Sequence, residues 1–258
     1  MKDAWGRTIE YVRLSLTDAC NFCCPYCRPA EITPQSQHQL LSVDEWMTIL
    51  GAFHQVGVKA VRLTGGEPLL YPHIEELLAR IKQTGWFEDI SMTTNGSLLA
   101  PRAAKLKELG LNRVNISLDS LDSDAFALCV GKANQLDSVL NGIQSAIEAG
   151  FTSVKINTVL SRHWTDDEVH DLLTYVETWP VIWRFIEYMP FQGDAFHGPT
   201  FDEWKAQLER VSGGILTENH CVYGFGPATY YNLPSGKEIG FIFSMSHSYC
   251  DTCNRVRL

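Results

Sequence analysis

The chain of 258 residues has no continuous apolar run near the ~20 residues that a bilayer-spanning helix needs. It also has no apolar segment behind its first residues. Met1-Lys2-Asp3-Ala4-Trp5 carries an acid and no hydrophobic stretch of the kind a signal peptide needs, so a cytosolic (cytoplasmic) location is expected. Positive charge is scarce. Lys and Arg number 21 against 30 Asp and Glu, a net charge of −9, which argues against a nucleic-acid partner or an anionic membrane surface. A small anionic ligand is not excluded, because it needs only a local group of cations. Internal repeats and low-complexity tracts are absent.

What is present is a hydrophobic fraction of 45%, enough for one sizeable core, and eight cysteines in an uneven distribution. Cys20, Cys23, Cys24 and Cys27 fall within eight residues, and Cys250 and Cys253 form a second close pair. Tight clusters of this kind in a cytosolic chain favour metal or redox chemistry over disulfides.

Strand-like runs near Tyr11–Leu16, Ala60–Thr64, Ile90–Thr94, Arg113–Leu118, Ser153–Val159 and Trp183–Tyr188 alternate with helical patterns. The helices are read near Val43–Val56, His73–Lys82, Arg102–Leu109, Leu136–Ala149 and Asp166–Val176, with Gly57, Gly110 and Gly150 as C-terminal stops. Such alternation gives parallel strands with right-handed crossovers. The predicted fold class is α/β: a partial (βα)6 TIM-like barrel over residues 1–198, then a small α+β appendage over residues 199–258. The appendage reads as a helix over Phe201–Val211 and antiparallel strands around the turn Leu233-Pro234-Ser235-Gly236.

Within these strands two sets of residues alternate. Val12, Leu14, Val61, Leu63, Val114, Ile116, Val154 and Ile156 share one parity; Arg13, Arg62, Asn115, Ser117, Lys155 and Asn157 share the other. Helices cover the outside of such a barrel and demand the apolar set. The polar set therefore faces the lumen, which a purely structural barrel fills with aliphatic side chains. Buried polar groups need partners, so either they satisfy one another or a ligand does. With cations in excess of acids, a ligand site is the expected reading.

The cysteine loop follows the first strand, at the end where α/β barrels place their chemistry. Cys20, Cys24 and Cys27, at x3 and then x2 spacing, suit an iron–sulfur cluster with one iron left open, because four-iron clusters ordinarily take four thiolates. Cys23 allows other triplets by arithmetic, and a structural zinc site is the alternative chemistry.

At this point a resemblance enters. Cys-x3-Cys-x2-Cys with Tyr26 before the third cysteine, and Thr64-Gly65-Gly66-Glu67-Pro68 after the second strand, resemble the radical S-adenosylmethionine superfamily. Further motifs, in order, are Gly6-Arg7, Tyr11 to Asp18, Thr93 to Gly96, Asn115 to Asp119, Val154 to Asn157, Arg184 to Met189 and Cys250 to Leu258. Together they are similar to the GTP 3′,8-cyclase family of molybdenum-cofactor biosynthesis, from about Asp3 to Leu258.

The resemblance implies a lyase with a [4Fe–4S] cluster and S-adenosylmethionine (SAM) as cofactors. Cys20, Cys24 and Cys27 would be catalytic as cluster ligands, and Tyr26, Gly65, Gly66, Glu67, Ser117 and Met189 would bind SAM. GTP would meet Arg13, Arg62, Thr93, Lys155, Arg184, Arg255, Val256 and Arg257, with Arg255 and Arg257 also catalytic. Cys250 and Cys253 would hold a second [4Fe–4S] cluster. Expected partners are GTP, a reducing electron donor and a second copy of the chain. The family continues past the position of Leu258 with a third cysteine for that cluster and a glycine-rich tail, so full turnover is conditional on that segment. Cys23 stands where the family commonly has Arg, and Arg28 where Met is usual. The rivals are another radical enzyme with a different substrate and a non-catalytic GTP- or cluster-binding homologue.

Overall fold

In a computed structural model, residues 2–4, 6–27, 40–190, 198–221, 223–224, 226–247 and 253–258 are described. The alternation of apolar and polar positions produces parallel strands: β1 (Tyr11–Ser15), β2 (Ala60–Thr64), β3 (Asp89–Thr94), β4 (Arg113–Ser117), β5 (Ser153–Leu160) and β6 (Ile182–Glu187). Each pairs with the next in parallel. Between them run α1 (Val43–Gln55), α2 (Ile74–Thr84), α3 (Ala103–Glu108), α4 (Ser123–Val130), α5 (Leu136–Glu148) and α6 (Asp166–Thr178). Strand positions match the sequence reading to within a residue or two. The helix α4 went unread because it is short and buries only Phe126 and Val130, too few positions to set up a period.

Local chemistry sets the helix ends. Ser42 with Glu45, Thr165 with Glu168 and Thr200 with Glu203 form reciprocal capping boxes at the starts of α1, α6 and α7 (Phe201–Ser212). The predicted parity holds. Val12, Leu14, Val61, Leu63, Val114, Ile116 and Ile156 are fully buried in one core, packed beneath the helices. The opposite face lines the lumen.

The C-terminal region joins the same sheet. β7 (Thr217–Asn219), β8 (Thr229–Asn232) and β9 (Glu238–Ile242) form an antiparallel meander whose last strand pairs in parallel with β6. β10 (Arg255–Arg257) pairs in parallel with β1 on the opposite edge. The order is β10-β1-β2-β3-β4-β5-β6-β9-β8-β7, an open barrel wall of ten strands. No helix among the described residues is long and apolar enough to cross a membrane.

Candidate active site

Loops after β1, β2, β3 and β4 meet at one end of the barrel. The loop after β1 carries the cysteines, and its backbone is strapped to the glycine loop after β2. The Gly66 N–H donates to the Thr17 carbonyl at 2.6 Å and the Glu67 N–H to the Ala19 carbonyl at 2.8 Å. This approach is what the glycines permit: a Cβ on Gly66 would lie 2.3 Å from the Ala19 oxygen, and one on Gly65 2.5 Å from the Thr17 oxygen. With the Gly66 and Glu67 N–H groups committed, the carbonyls of this loop are what it can offer a ligand ammonium.

Glu67 is fully buried. Its carboxylate accepts from the Leu69 N–H (3.0 Å), the Thr94 hydroxyl (2.7 Å) and the Asn95 N–H (2.7 Å), so both oxygens serve the protein. It ties the β2 and β3 loops together. Asn95 in turn donates to Asn21 at 2.8 Å, and Asn21 to Ser97 at 2.9 Å, which holds the middle of the cysteine loop.

Three thiols come together in this loop. Cys20 and Cys24 are each electrostatically coupled to Cys27, and Cys24 to Cys20 as well. Burial pushes the Cys24 thiol up to about 12 and raises that of Cys20. Cys23 is directed elsewhere: its N–H donates to the Val130 carbonyl at 2.9 Å, and its backbone lies against Gly131. The thiols that act on one another are thus Cys20, Cys24 and Cys27. All three are free thiols, and no group of three or more His, Cys, Asp or Glu among the described residues is arranged to hold a single ion. A donor set of three neighbouring thiols, Cys20 and Cys24 partly buried and Cys27 exposed, fits a larger, thiophilic cluster, whose positive charge would offset the cost of ionising the buried pair.

Ser117 ends β4 beside this loop, in register with Asn157. Tyr26 reaches the residue two beyond it: its hydroxyl donates to Asp119 Oδ2 at 2.5 Å. Met189 lies just after β6, about half exposed, with its sulfur accepting from the Ser244 hydroxyl at 3.1 Å. Glu187 shapes that corner by accepting from the Met245 and Ser246 N–H groups.

Within the lumen, strand register aligns the cations. Arg257, Arg13, Arg62, Ser91 and Arg113 are consecutive register partners, and Thr93, Asn115 and Lys155 form a second line. Arg184 is partnered with Asn157, whose Oδ1 accepts from its guanidinium at 2.7 and 3.0 Å. Lys155 is 2% exposed, and its ammonium donates to the Tyr223 carbonyl at 2.7 Å. Arg62 donates to Ser91 at 3.2 Å and lies 5.3 Å from the Tyr11 ring centre. Asp89 is the lumen carboxylate, and Arg113 takes it with two hydrogen bonds, one of 2.6 Å.

The remaining charges repel one another. Burial lowers Lys155 to about 6, aided by Arg184, Arg113 and Arg62, and burial lowers Arg62 to about 10. Arg13 and Arg184 are also lowered by burial. Arg113 alone of these five is raised, because Asp89 outweighs its desolvation. Cations held this way are poised for an anion. Arg113 and Asp89 were not read as site residues, although Arg113 shares the lumen parity and that signal could have found it.

The C-terminal segment is split. Arg257 stands in register with Arg13 and Arg255 with Tyr11, on the lumen parity. Val256 is in register with Val12, so its side chain belongs to the opposite face, and the expected nucleotide contact could come only from its backbone. Burial raises the Cys253 thiol, but Arg255 and Arg257 outweigh it and leave it below its usual value. Cys250 and Arg28 lie outside the described residues.

Comparison with known proteins agrees with this geometry. Residues 14–176 match the Radical SAM superfamily and residues 181–258 match Molybdenum Cofactor Synthesis C. The chain is 42% identical to GTP 3′,8-cyclase 2 of Pseudomonas aeruginosa, across 99% of this chain and 78% of that protein. It is 45% identical to the GTP 3′,8-cyclase of Trichodesmium erythraeum, across 97% of this chain and 79% of that protein. Among solved structures, Streptococcus suis SuiB bound to S-adenosylmethionine aligns at a TM-score of 0.62 and 20% identity, across 80% of this chain and 46% of SuiB. Native anSMEcpe with bound AdoMet aligns at a TM-score of 0.58 and 16% identity, across 78% of this chain and 58% of that one. At these identities the likeness is one of fold.

Proposed function

The chain belongs to the radical SAM superfamily and, within it, to the GTP 3′,8-cyclase family, and from that premise we propose that it converts GTP to (8S)-3′,8-cyclo-7,8-dihydroguanosine 5′-triphosphate, the first step of molybdenum-cofactor biosynthesis. The observation that carries the reading is the set Arg13, Arg62, Lys155 and Arg184 on the lumen parity of neighbouring strands, with Asp89 already taken by Arg113.

A [4Fe–4S] cluster held by Cys20, Cys24 and Cys27, with SAM bound beside it, would supply a one-electron reduction and a hydrogen-abstracting carbon radical. The protein's part is placement. Guanidinium forks from Arg13, Arg62 and Arg184 and the ammonium of Lys155 match a triphosphate. With the phosphates clamped, the ribose C3′ hydrogen is held toward the cysteine-loop end, and closing C3′ onto guanine C8 becomes a matter of a short, fixed approach. Arg255 and Arg257 would complete the cationic wall from β10.

The expected Cys250–Cys253 cluster, the electron donor, a dimer and a division near residue 198 are parts of the same proposal. The observation in favour of the second cluster is the cationic setting of Cys253, which favours a thiolate. The test is anaerobic reconstitution with iron and sulfide, a strong reductant, SAM and GTP. Formation of 5′-deoxyadenosine together with a cyclised GTP product is expected. SAM cleavage that is indifferent to GTP, with no nucleotide product, would overturn the substrate assignment.

A further inference from the structure

Asp119 follows β4, is 3% exposed, and forms no ion pair among the described residues. Burial pushes its carboxyl up to about 6. An unpaired carboxylate in such a place is expensive, and an apolar side chain would pack there at lower cost. Its two oxygens serve two different segments. Oδ2 accepts from the Tyr26 hydroxyl at 2.5 Å, and Oδ1 accepts from the Val159 N–H of β5 at 2.8 Å. The carboxylate therefore bridges the cysteine loop to the β4–β5 wall.

Tyr26 sits between Cys24 and Cys27, in a turn closed by the Cys27 N–H donating to the Cys24 carbonyl at 3.0 Å. The Tyr26 hydroxyl also acts on the Cys24 thiol, opposing the upward push of burial. The rest of the loop is anchored by backbone, at Thr17 and Ala19 to the glycine loop and at Cys23 to α4, and by the Asn21 side chain to the loop after β3. The Cys24–Cys27 turn is tied to the barrel by a side chain, and that side chain ends on Asp119.

We propose that Asp119 is a positioning residue that, through the Tyr26 hydroxyl, fixes how Cys24 and Cys27 present their cluster to SAM. This rests on the assignment of the cluster to Cys20, Cys24 and Cys27. Asn at 119 keeps an acceptor for Val159 and a donor for the Tyr26 oxygen, so it preserves the bridge while removing the charge. Phe at 26 removes only the hydroxyl, and Leu at 119 removes the bridge from the other side.

The experiment compares reconstituted wild type, Tyr26→Phe, Asp119→Asn and Asp119→Leu by four readouts: iron content, the change that SAM causes in the electron paramagnetic resonance spectrum of the reduced cluster, the KM for SAM, and GTP affinity. Tyr26→Phe and Asp119→Leu are expected to keep iron and GTP affinity, lose the SAM-induced spectral change, and raise the KM for SAM about tenfold, the loss of roughly one hydrogen bond. Asp119→Asn is expected to resemble wild type. A wild-type spectral response in Tyr26→Phe, or an Asn variant as defective as the Leu variant, overturns the proposal; should Asp119→Leu fail to fold, Tyr26→Phe decides. Failure of wild type to hold iron would instead strike at the cluster assignment.

Discussion

Lys155 donates its proton to the carbonyl oxygen of Tyr223, a neutral group, while the guanidiniums of Arg184, Arg113 and Arg62 press on it and Asp89 is held by Arg113. Its ammonium gives up a proton near pH 6, whereas an unfolded-chain lysine keeps it to about 10.5. Between those values the unfolded state binds the extra proton, so this residue makes the nucleotide-free protein gain stability as pH rises. Lys155→Met should flatten that rise, as followed by denaturant midpoints across the window. A triphosphate reverses the balance and recharges the lysine. Calorimetry at about pH 8, in buffers of differing ionisation heat, should show nearly one proton taken up per GTP by wild type and none by Lys155→Arg.

The cysteine assignment separates two neighbours. Cys20→Ala, Cys24→Ala and Cys27→Ala should each lose the iron–sulfur chromophore and SAM cleavage. Cys23→Ala, at an exposed residue whose N–H is tied to the Val130 carbonyl, should keep both, as measured by iron content and visible absorption after reconstitution.

Gly66→Ala places a methyl 2.3 Å from the Ala19 oxygen, a backbone atom that cannot swing aside. The loop strap should open, with a loss of about 1–3 kcal/mol in a denaturation series. Iron retention should fall with it, because Ala19 immediately precedes Cys20.

Glu67→Gln tests the loop-tying role of that carboxylate. One of its oxygens becomes an NH2 group facing a backbone donor, and a buried polar mismatch of this kind costs about 1–3 kcal/mol. The change should appear as reduced stability, with GTP affinity unaltered; an undiminished midpoint would argue that Glu67 does not carry the loops.

Much of this was legible before any coordinates. Period-two parity alone separated Val12, Leu14 and Ile156 from Arg13, Arg62 and Lys155, because a helix-covered strand leaves one face no choice. Parity could not reveal that Asp89 neutralises Arg113, since that depends on how β3 and β4 are staggered. Nor could it show Glu67 turned inward: Gly65-Gly66-Glu67 reads the same whether the acid meets a ligand or its own backbone. Asp119 lay inside a recognised motif, yet its role depends on a partner 93 residues earlier in the chain.

The sheet order carries a consequence for how the molecule comes into being. β10 emerges after every other strand of this chain, yet its neighbour is β1, the first; residue 11 must wait for residue 255. During synthesis the β1 edge that β10 covers stays open until residues 255–257 have emerged and Arg257 can reach Arg13. Such late, long-range closure is slow and leaves an edge open to wrong partners. Iron loading that precedes this last zipping would meet a cavity still missing one wall, which makes the timing of cluster delivery a part of assembly itself.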